Sequence, residues 1–136
     1  MFHQAAAYAA QWDRSELARV AAALEARAQP AGREAVIAAL APMVTLYGVP
    51  DKTEAEWRAF WKFYADALGR LPIEAVKAGA NAYVNLPDSE FFPKPGPLKK
   101  LCEKAAEELY TALGRARRAM TLDPASNEVL QYGAPQ

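Results

Sequence analysis

Residues 53–69, TEAEWRAFWKFYADALG, determine the fold class of this 136-residue chain. Thr53 followed by Glu56 is a capping box, in which each side chain accepts a hydrogen bond from a backbone N–H that the first helical turn leaves unpaired. Apolar residues then recur at intervals of three and four, the spacing of one helical face, and Gly69 ends the pattern. The stretch predicts a helix whose apolar stripe lies at the centre of the core: Trp57, Phe60, Trp61, Tyr64 and Leu68.

The same spacing predicts four further helices. The first ends at about residue 28, and the others run over about 33–47, 72–84 and 97–120. Asp13 or Ser15 caps the first, Pro42 is expected to kink the second, and Pro72 is placed at the first position of the fourth. The inner face of the last helix is expected to consist of Leu98, Leu101, Cys102, Ala105, Leu109, Ala112 and Leu113. Because no strand is predicted, the fold class is all-α: a single helical domain of about five helices with a Pro/Phe-rich linker before the last.

The predicted helices divide the chain into three parts. Residues 1–14 are interpreted as an N-terminal arm or a frayed helix, and residues 15–120 as the helical domain. Residues 121–136 contain Pro, Gly, Ser and Asn with few apolar anchors, a composition typical of a flexible tail.

The linker over residues 85–96 contains the sequence FFPKPGPL at positions 91–98. Proline fixes φ and lacks a backbone donor, and it pushes the preceding residue towards an extended conformation, so the linker is expected to be stiff. At least one of Phe91 and Phe92 is expected to plug the core. The other is a candidate contact for a partner, because aromatic side chains are enriched at binding hot spots.

Basic residues follow the two phenylalanines. From Lys94 to Arg118 there are seven basic and three acidic residues, a local charge of +4. Cations near a helix C-terminus also complement the helix dipole, which is a sufficient structural reason for the arginines. A site for a phosphate or an acidic partner is the functional alternative. The candidate partner-binding residues are Phe91, Phe92, Lys94, Lys99, Lys100, Arg115, Arg117 and Arg118.

Composition limits the environment and the partners. The 16 basic and 16 acidic residues cancel, so tight nonspecific DNA binding is not expected and binding to nucleic acid is expected to be weak. No run approaches the ~18 apolar residues of a membrane span, and the Ala-rich start lacks the basic region of a signal peptide. Cys102 is the only cysteine, which excludes an internal disulfide. A cytoplasmic protein is predicted.

The residues that usually carry catalysis are scarce. His3 is the sole histidine, and Cys102 is expected to be a buried, inert thiol; together they cannot supply a zinc shell. The carboxylates of Glu54, Glu56, Glu103, Glu107 and Glu108 are interpreted as helix caps and solvated helix faces. The protein is therefore predicted not to be an enzyme and to need no metal or cofactor.

The order of features over residues 54–101 resembles a family of small helical phage replication proteins, the loaders and inhibitors of the replicative helicase. The matching residues are Trp57, Tyr64, Leu68, Pro72, Glu74, Ala75, Val76, Ala78, Tyr83, Phe92, Pro93, Pro95 and Leu98. The resemblance implies a protein without catalysis whose helical domain contacts an initiator and whose flexible C-terminal region contacts the helicase. In this chain the tail could use Leu122, Val129, Leu130 and Tyr132 as apolar anchors.

Three alternatives remain open. The first is a phage-type inhibitor of other host nucleic-acid machinery, such as an anti-CRISPR protein. The second is a DNA-binding module with a helix-turn-helix at residues 69–72, although its second helix offers Glu74 and, as a cation, only Lys77. The third is a structural subunit, for instance of a virion.

Overall fold

Five α-helices account for most of residues 13–121, the part of the chain that the computed structural model describes. They are α1 (Arg14–Arg27), α2 (Gly32–Leu46), α3 (Glu54–Leu68), α4 (Ile73–Val84) and α5 (Pro95–Thr121). Residues 13–121 contain no strand, only an isolated backbone bridge between Pro30 and Pro72. The predicted all-α single domain of about five helices is therefore confirmed. Almost all of the predicted arm and tail, residues 1–12 and 122–136, lie outside the described residues.

Local sequence signals set the helix ends. Thr53 and Glu56 form both hydrogen bonds of the predicted capping box, at 3.1 and 2.8 Å. Of the two candidate caps of α1 it is Asp13 that acts, its Oδ1 accepting from the N–H of Glu16 at 2.7 Å. This hydrogen bond lowers the pKa of Asp13. After α2, Gly48 adopts φ +63°, a left-handed conformation that costs a glycine little.

Two predicted helix starts differ from the structure by one or two residues. Pro72 is the N-cap of α4 rather than its first helical residue. Helix α5 begins at Pro95, two residues before the predicted start at Pro97, so the linker is correspondingly shorter. A proline fits either position because the first turn of a helix uses no N–H at its start.

Within the domain the helices form two compact units. The central unit is Arg27–Glu107, and the terminal unit comprises the described residues 13–26 and 108–121. Helix α5 therefore supplies its first part to the central unit and its remainder to the terminal unit.

In the central unit α2 packs against both α3 and α4. The start of α2 lies beside the end of α3, because the Gly32 N–H donates to the Gly69 carbonyl at 2.9 Å. It also lies beside the start of α4, since the bridge between Pro30 and Pro72 is at this end. At the opposite end the rings of Tyr47 and Tyr83 lie 6.0 Å apart. Helices α2 and α4 therefore run in the same direction and α3 runs against them. We call the end that carries these two rings the aromatic end.

The core of the central unit is mainly aliphatic, and only two of the five residues of the predicted stripe of α3 lie in it. Tyr64 and Leu68 are buried, whereas Trp57, Phe60 and Trp61 are half-buried, so their predicted place at the centre is wrong. Large rings are seldom enclosed completely, and smaller side chains fill the centre. The central positions belong to Val36, Leu40, Met43, Leu71, Val76, Ala80, Leu98 and Cys102.

Helix α5 buries a face that differs slightly from the predicted one. Leu98, Cys102, Leu109 and Leu113 are buried as expected, while Leu101 and Ala112 are half-buried. Ala105 is exposed, contrary to expectation, and the inward alanines are Ala106, Ala116 and Ala119. The buried positions follow spacings of four and three, and Ala105 lies one position, about 100°, away from Ala106 on the helix.

Gly79 brings α4 and α5 into close approach in the central unit. A Cβ on Gly79 would lie 2.7 Å from both the backbone N and the Cα of Cys102. Both residues are buried. Only glycine fits at this crossing, because the atoms that a Cβ would meet include backbone that cannot turn away.

Gly79→Ala is expected to destabilise the protein by about 1–3 kcal/mol, the usual cost of overpacking a core. Gly96→Ala is the matched control, since a Cβ there meets nothing within 4 Å and the residue lies in the first turn of α5. Urea unfolding followed by tryptophan fluorescence measures both. Equal unfolding midpoints for the two variants would contradict the close approach.

The terminal unit pairs α1 with the last part of α5. Its buried residues are Leu17, Ala21, Leu24, Leu109, Leu113, Ala116 and Ala119. At the surface of the pair, Arg117 of α5 forms an ion pair with Glu25 of α1 at 2.7 Å.

Candidate functional site

Two tyrosine hydroxyls hold the linker against the central unit. Tyr64 of α3 donates to the buried Pro93 carbonyl at 2.6 Å, and Tyr83 of α4 donates to the Phe91 carbonyl at 2.7 Å. Burial raises the pKa of Tyr64 to about 12, so this hydroxyl remains a donor at physiological pH. The backbone of three consecutive residues is thus fixed at two points.

Phe92 is the phenylalanine that plugs the core. Its ring centroid lies 5.3 Å from that of Tyr64, 5.4 Å from that of Phe60 and 6.3 Å from that of Tyr47. The contact with Tyr64 is edge-to-face, an arrangement that aromatic quadrupoles favour. The ring that packs inward is therefore Phe92, which is half-buried among three other rings rather than fully buried as predicted.

Phe91 is the other ring, and its side chain is 75% exposed. Its carbonyl is hydrogen-bonded and the next side chain is packed, so the ring is displayed from a backbone that has little freedom. A displayed aromatic side chain of this kind is typical of a binding hot spot.

Further apolar side chains lie at the aromatic end. Leu46 precedes Tyr47 in the last turn of α2 and is 63% exposed, and Leu86, just after α4, is 41% exposed. The charged residues of the linker are Asp88, Glu90 and Lys94. All three are exposed, and none of them forms an ion pair with another described residue. We call this set, Leu46, Leu86, Asp88, Glu90, Phe91 and Lys94, the Phe91 surface.

The three lysines predicted to bind a partner, one in the linker and two in α5, are available for binding. Lys94, Lys99 and Lys100 are all exposed. None of them forms an ion pair within residues 13–121. With Phe91 and Phe92, they are the predicted site residues that the structure places in the central unit.

The three predicted arginines belong to the terminal unit and have different surroundings. Arg117 is engaged by Glu25, and Arg118 is exposed. The Nε of Arg115 is buried and has no hydrogen-bond partner among the described residues. The three arginines therefore belong to a different unit from the residues of the Phe91 surface.

The aromatic stripe of α3 carries a cation that its sequence pattern did not indicate. Trp57 and Trp61 stack with centroids 6.1 Å apart, and the Nζ of Lys52 lies 5.6 Å from the Trp57 centroid. By contrast, Arg58 and Lys62, which lie on α3 itself, form ion pairs with acidic residues one turn away on the same helix. These pairs reduce the positive charge that a nucleic acid would meet here.

Cys102 is buried, as predicted. Burial, with a smaller contribution from the charge of Glu103, raises the pKa of its thiol to about 11. The thiolate is the nucleophile of cysteine chemistry, so this side chain is poorly suited to covalent catalysis. Among residues 13–121 no group of three or more His, Cys, Asp or Glu side chains could hold a metal ion. Over the same residues, no helix has both the length and the apolar character needed to cross a bilayer. His3 lies outside the described residues.

Sequence reasoning missed the two tyrosine hydroxyls and Lys52. Tyr64 was predicted as part of the apolar stripe of α3 and Tyr83 was named among the residues that carry the family resemblance, but neither was predicted as a donor. A tyrosine close to a buried proline-rich linker is a signal that could have indicated a donor to the linker carbonyls, which have few helical partners.

Comparison with protein-family models, curated proteins and solved structures found no match to this chain.

Tyr64→Phe is expected to destabilise the protein by about 1–3 kcal/mol, because it leaves the buried Pro93 carbonyl without a partner. Tyr83→Phe is the matched control and is expected to cost about 1 kcal/mol or less, because the carbonyl that it releases lies at an exposed position and can bond to water. Urea unfolding measures both variants. If Tyr83→Phe proved the more destabilising, the assigned role of Tyr64 would be wrong.

Cys102 is expected to resist a thiol reagent at pH 8 in the folded protein and to react at once in denaturant. With a pKa of about 11, the thiolate is only about one part in a thousand at this pH, and the sulfur is buried as well. Because the pKa of the Cys102 thiol is raised in the folded protein, the thiol contributes to the free energy of unfolding at pH values below the pKa that it has in the unfolded chain. This contribution is lost as the pH rises through about 11. Rapid labelling of the native protein would contradict the buried position.

Proposed function

We propose that this protein is a non-catalytic binding protein that docks on a protein partner through the Phe91 surface. The partner is the replicative helicase or its initiator, which the protein loads or inhibits. The observation that carries the proposal is the exposed Phe91 ring on a backbone fixed by Tyr83 and by the packed Phe92.

A fixed display lowers the cost of binding. Ordering a flexible loop opposes association, whereas a loop already held in place loses little freedom when a partner covers it. Leu46 and Leu86 add exposed apolar side chains at the same end of the helices, which favours a protein interface there.

The resemblance to the helicase loaders and inhibitors supports the identity of the partner. Its matching residues include Tyr64, Tyr83, Phe92 and Pro93, the residues that hold the linker in place. Four of the shared features are thus ones that help to present Phe91, while others, such as Leu68, Val76 and Leu98, are core positions.

Direct reading of DNA by α4 receives less support. Glu74, in its first turn, is held by Arg27 through hydrogen bonds of 2.8 and 3.0 Å. Lys77 is then the only cation of α4, whereas a recognition helix normally presents several groups to the bases. A protein partner is therefore preferred to nucleic acid.

The test is direct binding of the full chain to the purified replicative helicase of the natural host and, separately, to its initiator. Phe91→Ala is expected to weaken the binding about tenfold or more, as truncation of a hot-spot aromatic does. Phe63→Ala is the matched control, because Phe63 is also exposed, at 67%, but lies on α3 and is not among the rings that contact Phe92. Its affinity is expected to equal that of the unchanged chain.

Four results would count against the proposal. Absence of binding to both proteins would remove the helicase assignment, and capture of a CRISPR effector would move it to another inhibitor class. DNA affinity with a steep salt dependence would favour the DNA-binding module. Equal losses in the two phenylalanine variants would remove the Phe91 surface from the interaction.

A further inference from the structure

The Phe91 surface carries charges of opposite sign on the two sides of its central ring. Asp88 and Glu90 precede Phe91, and Lys94 follows it. Two of them are carboxylates and the third is an ammonium group, and none forms an ion pair within residues 13–121. Their charges are therefore available to a partner.

The two signs are separated in space by the structure around the linker. Asp88 lies on the α4 side, because the hydroxyl of the next residue, Ser89, donates to the carbonyls of Val84 and Leu86 at 3.2 and 2.9 Å. Lys94 lies on the α5 side, where its carbonyl accepts from the Leu98 N–H at 3.2 Å in the first turn of the helix. Between them the segment 91–93 is fixed by Tyr64 and Tyr83.

An apolar centre with one sign of charge on each side is self-complementary. In a two-fold symmetric contact each copy presents the same patch, so the acidic side of one copy meets the basic side of the other, and the contact occurs twice. Asp88 and Lys94 lie three residues before and three after Phe91. A two-fold axis between two Phe91 rings therefore brings Asp88 of each copy towards Lys94 of the other. The zero net charge of the chain gives no general repulsion between copies.

We propose that the Phe91 surface binds a second copy of this chain in a two-fold symmetric contact. The inference rests on the proposed function, since it assigns the same surface a second occupant that a helicase or initiator has to displace. The patch is small beside a standard interface of roughly 20–30 residues a side. Self-association is therefore weak and depends on concentration, and the monomer that binds the partner is released by dilution or by competition.

The test uses two full-length variants with opposite changes. The basic variant, Asp88→Lys with Glu90→Lys, and the acidic variant, Lys94→Glu, each place like charges opposite one another in the symmetric contact. Sedimentation equilibrium at 0.15 M salt, an ionic strength that screens distant charges over about 8 Å, is expected to show each variant self-associating at least about tenfold more weakly than the unchanged chain. An equimolar mixture is expected to form a heterodimer, because both charge pairs are then attractive again.

Two controls separate this contact from general attraction. Glu103→Lys with Glu107→Lys makes the same change of net charge at exposed positions of α5, and it is expected not to associate with the acidic variant. Phe91→Ala added to both partners of the mixture is expected to abolish the heterodimer, whereas Phe63→Ala leaves it intact. Circular dichroism of each variant establishes that it is folded.

The inference is overturned if the unchanged chain is monomeric at every concentration measured, or if each charge variant associates as well as the unchanged chain. A mixture that does not associate also overturns it. These results concern the chain alone, so they are independent of the helicase measurement. Partner binding without self-association leaves the proposed function standing, and self-association without partner binding removes only the proposed function.

Discussion

The hydrogen bond from the Tyr64 hydroxyl to the Pro93 carbonyl, at 2.6 Å, fixes the linker, which is the longest segment of the central unit outside its helices. Pro93 is fully buried, and a buried carbonyl without a partner costs free energy comparable to a lost hydrogen bond. The position of the linker, the direction of the Phe92 ring and the start of α5 two residues later depend on this contact. It also explains why a tyrosine, rather than an aliphatic residue, occupies this position in the core.

The same contact connects stability with the candidate site. Phe92 is held between the rings of Tyr47, Phe60 and Tyr64, so the neighbouring Phe91 is left outside. Each residue on this short segment has a structural reason for its direction, and the exposed ring is a consequence of the packed one. An exposed phenylalanine gains nothing from folding, which is why its presence on a fixed backbone is informative about binding.

Some cations of the fold are held in ion pairs, and others are not. Several cations are engaged within the fold: Arg27 by Glu74, Arg58 by Glu54, Lys62 by Asp66 and Arg117 by Glu25. Such exposed pairs contribute little to stability individually, but they remove charge from the helix faces. Lys94, Lys99 and Lys100 are not engaged in this way within the described residues. The charged side chains of the central unit that no ion pair engages therefore include those of the linker and of the first turns of α5, next to Phe91.

The helices could be predicted from the sequence because their signals are local. Thr53 with Glu56, Gly69, and Pro72 act on backbone groups within a few residues, so the ends of α3 and α4 follow from their positions in the chain. The inner face of a helix also follows from spacing, which placed Tyr64, Leu68 and Cys102 correctly. Depth of burial does not follow from spacing, because it depends on which other helices cover that face. Trp57 and Trp61 therefore share the stripe of Tyr64 without sharing its burial.

The linker shows most clearly where the sequence was insufficient. Composition by itself determined that the segment is stiff and that one phenylalanine of the adjacent pair packs inward. Only the tertiary structure decided that this residue is Phe92 and that Phe91 is displayed. The physical reason is that the choice depends on Tyr64 and Tyr83, whose hydroxyls reach the linker from two different helices, and contacts between residues 8 and 29 positions apart are not encoded in the local pattern of either one.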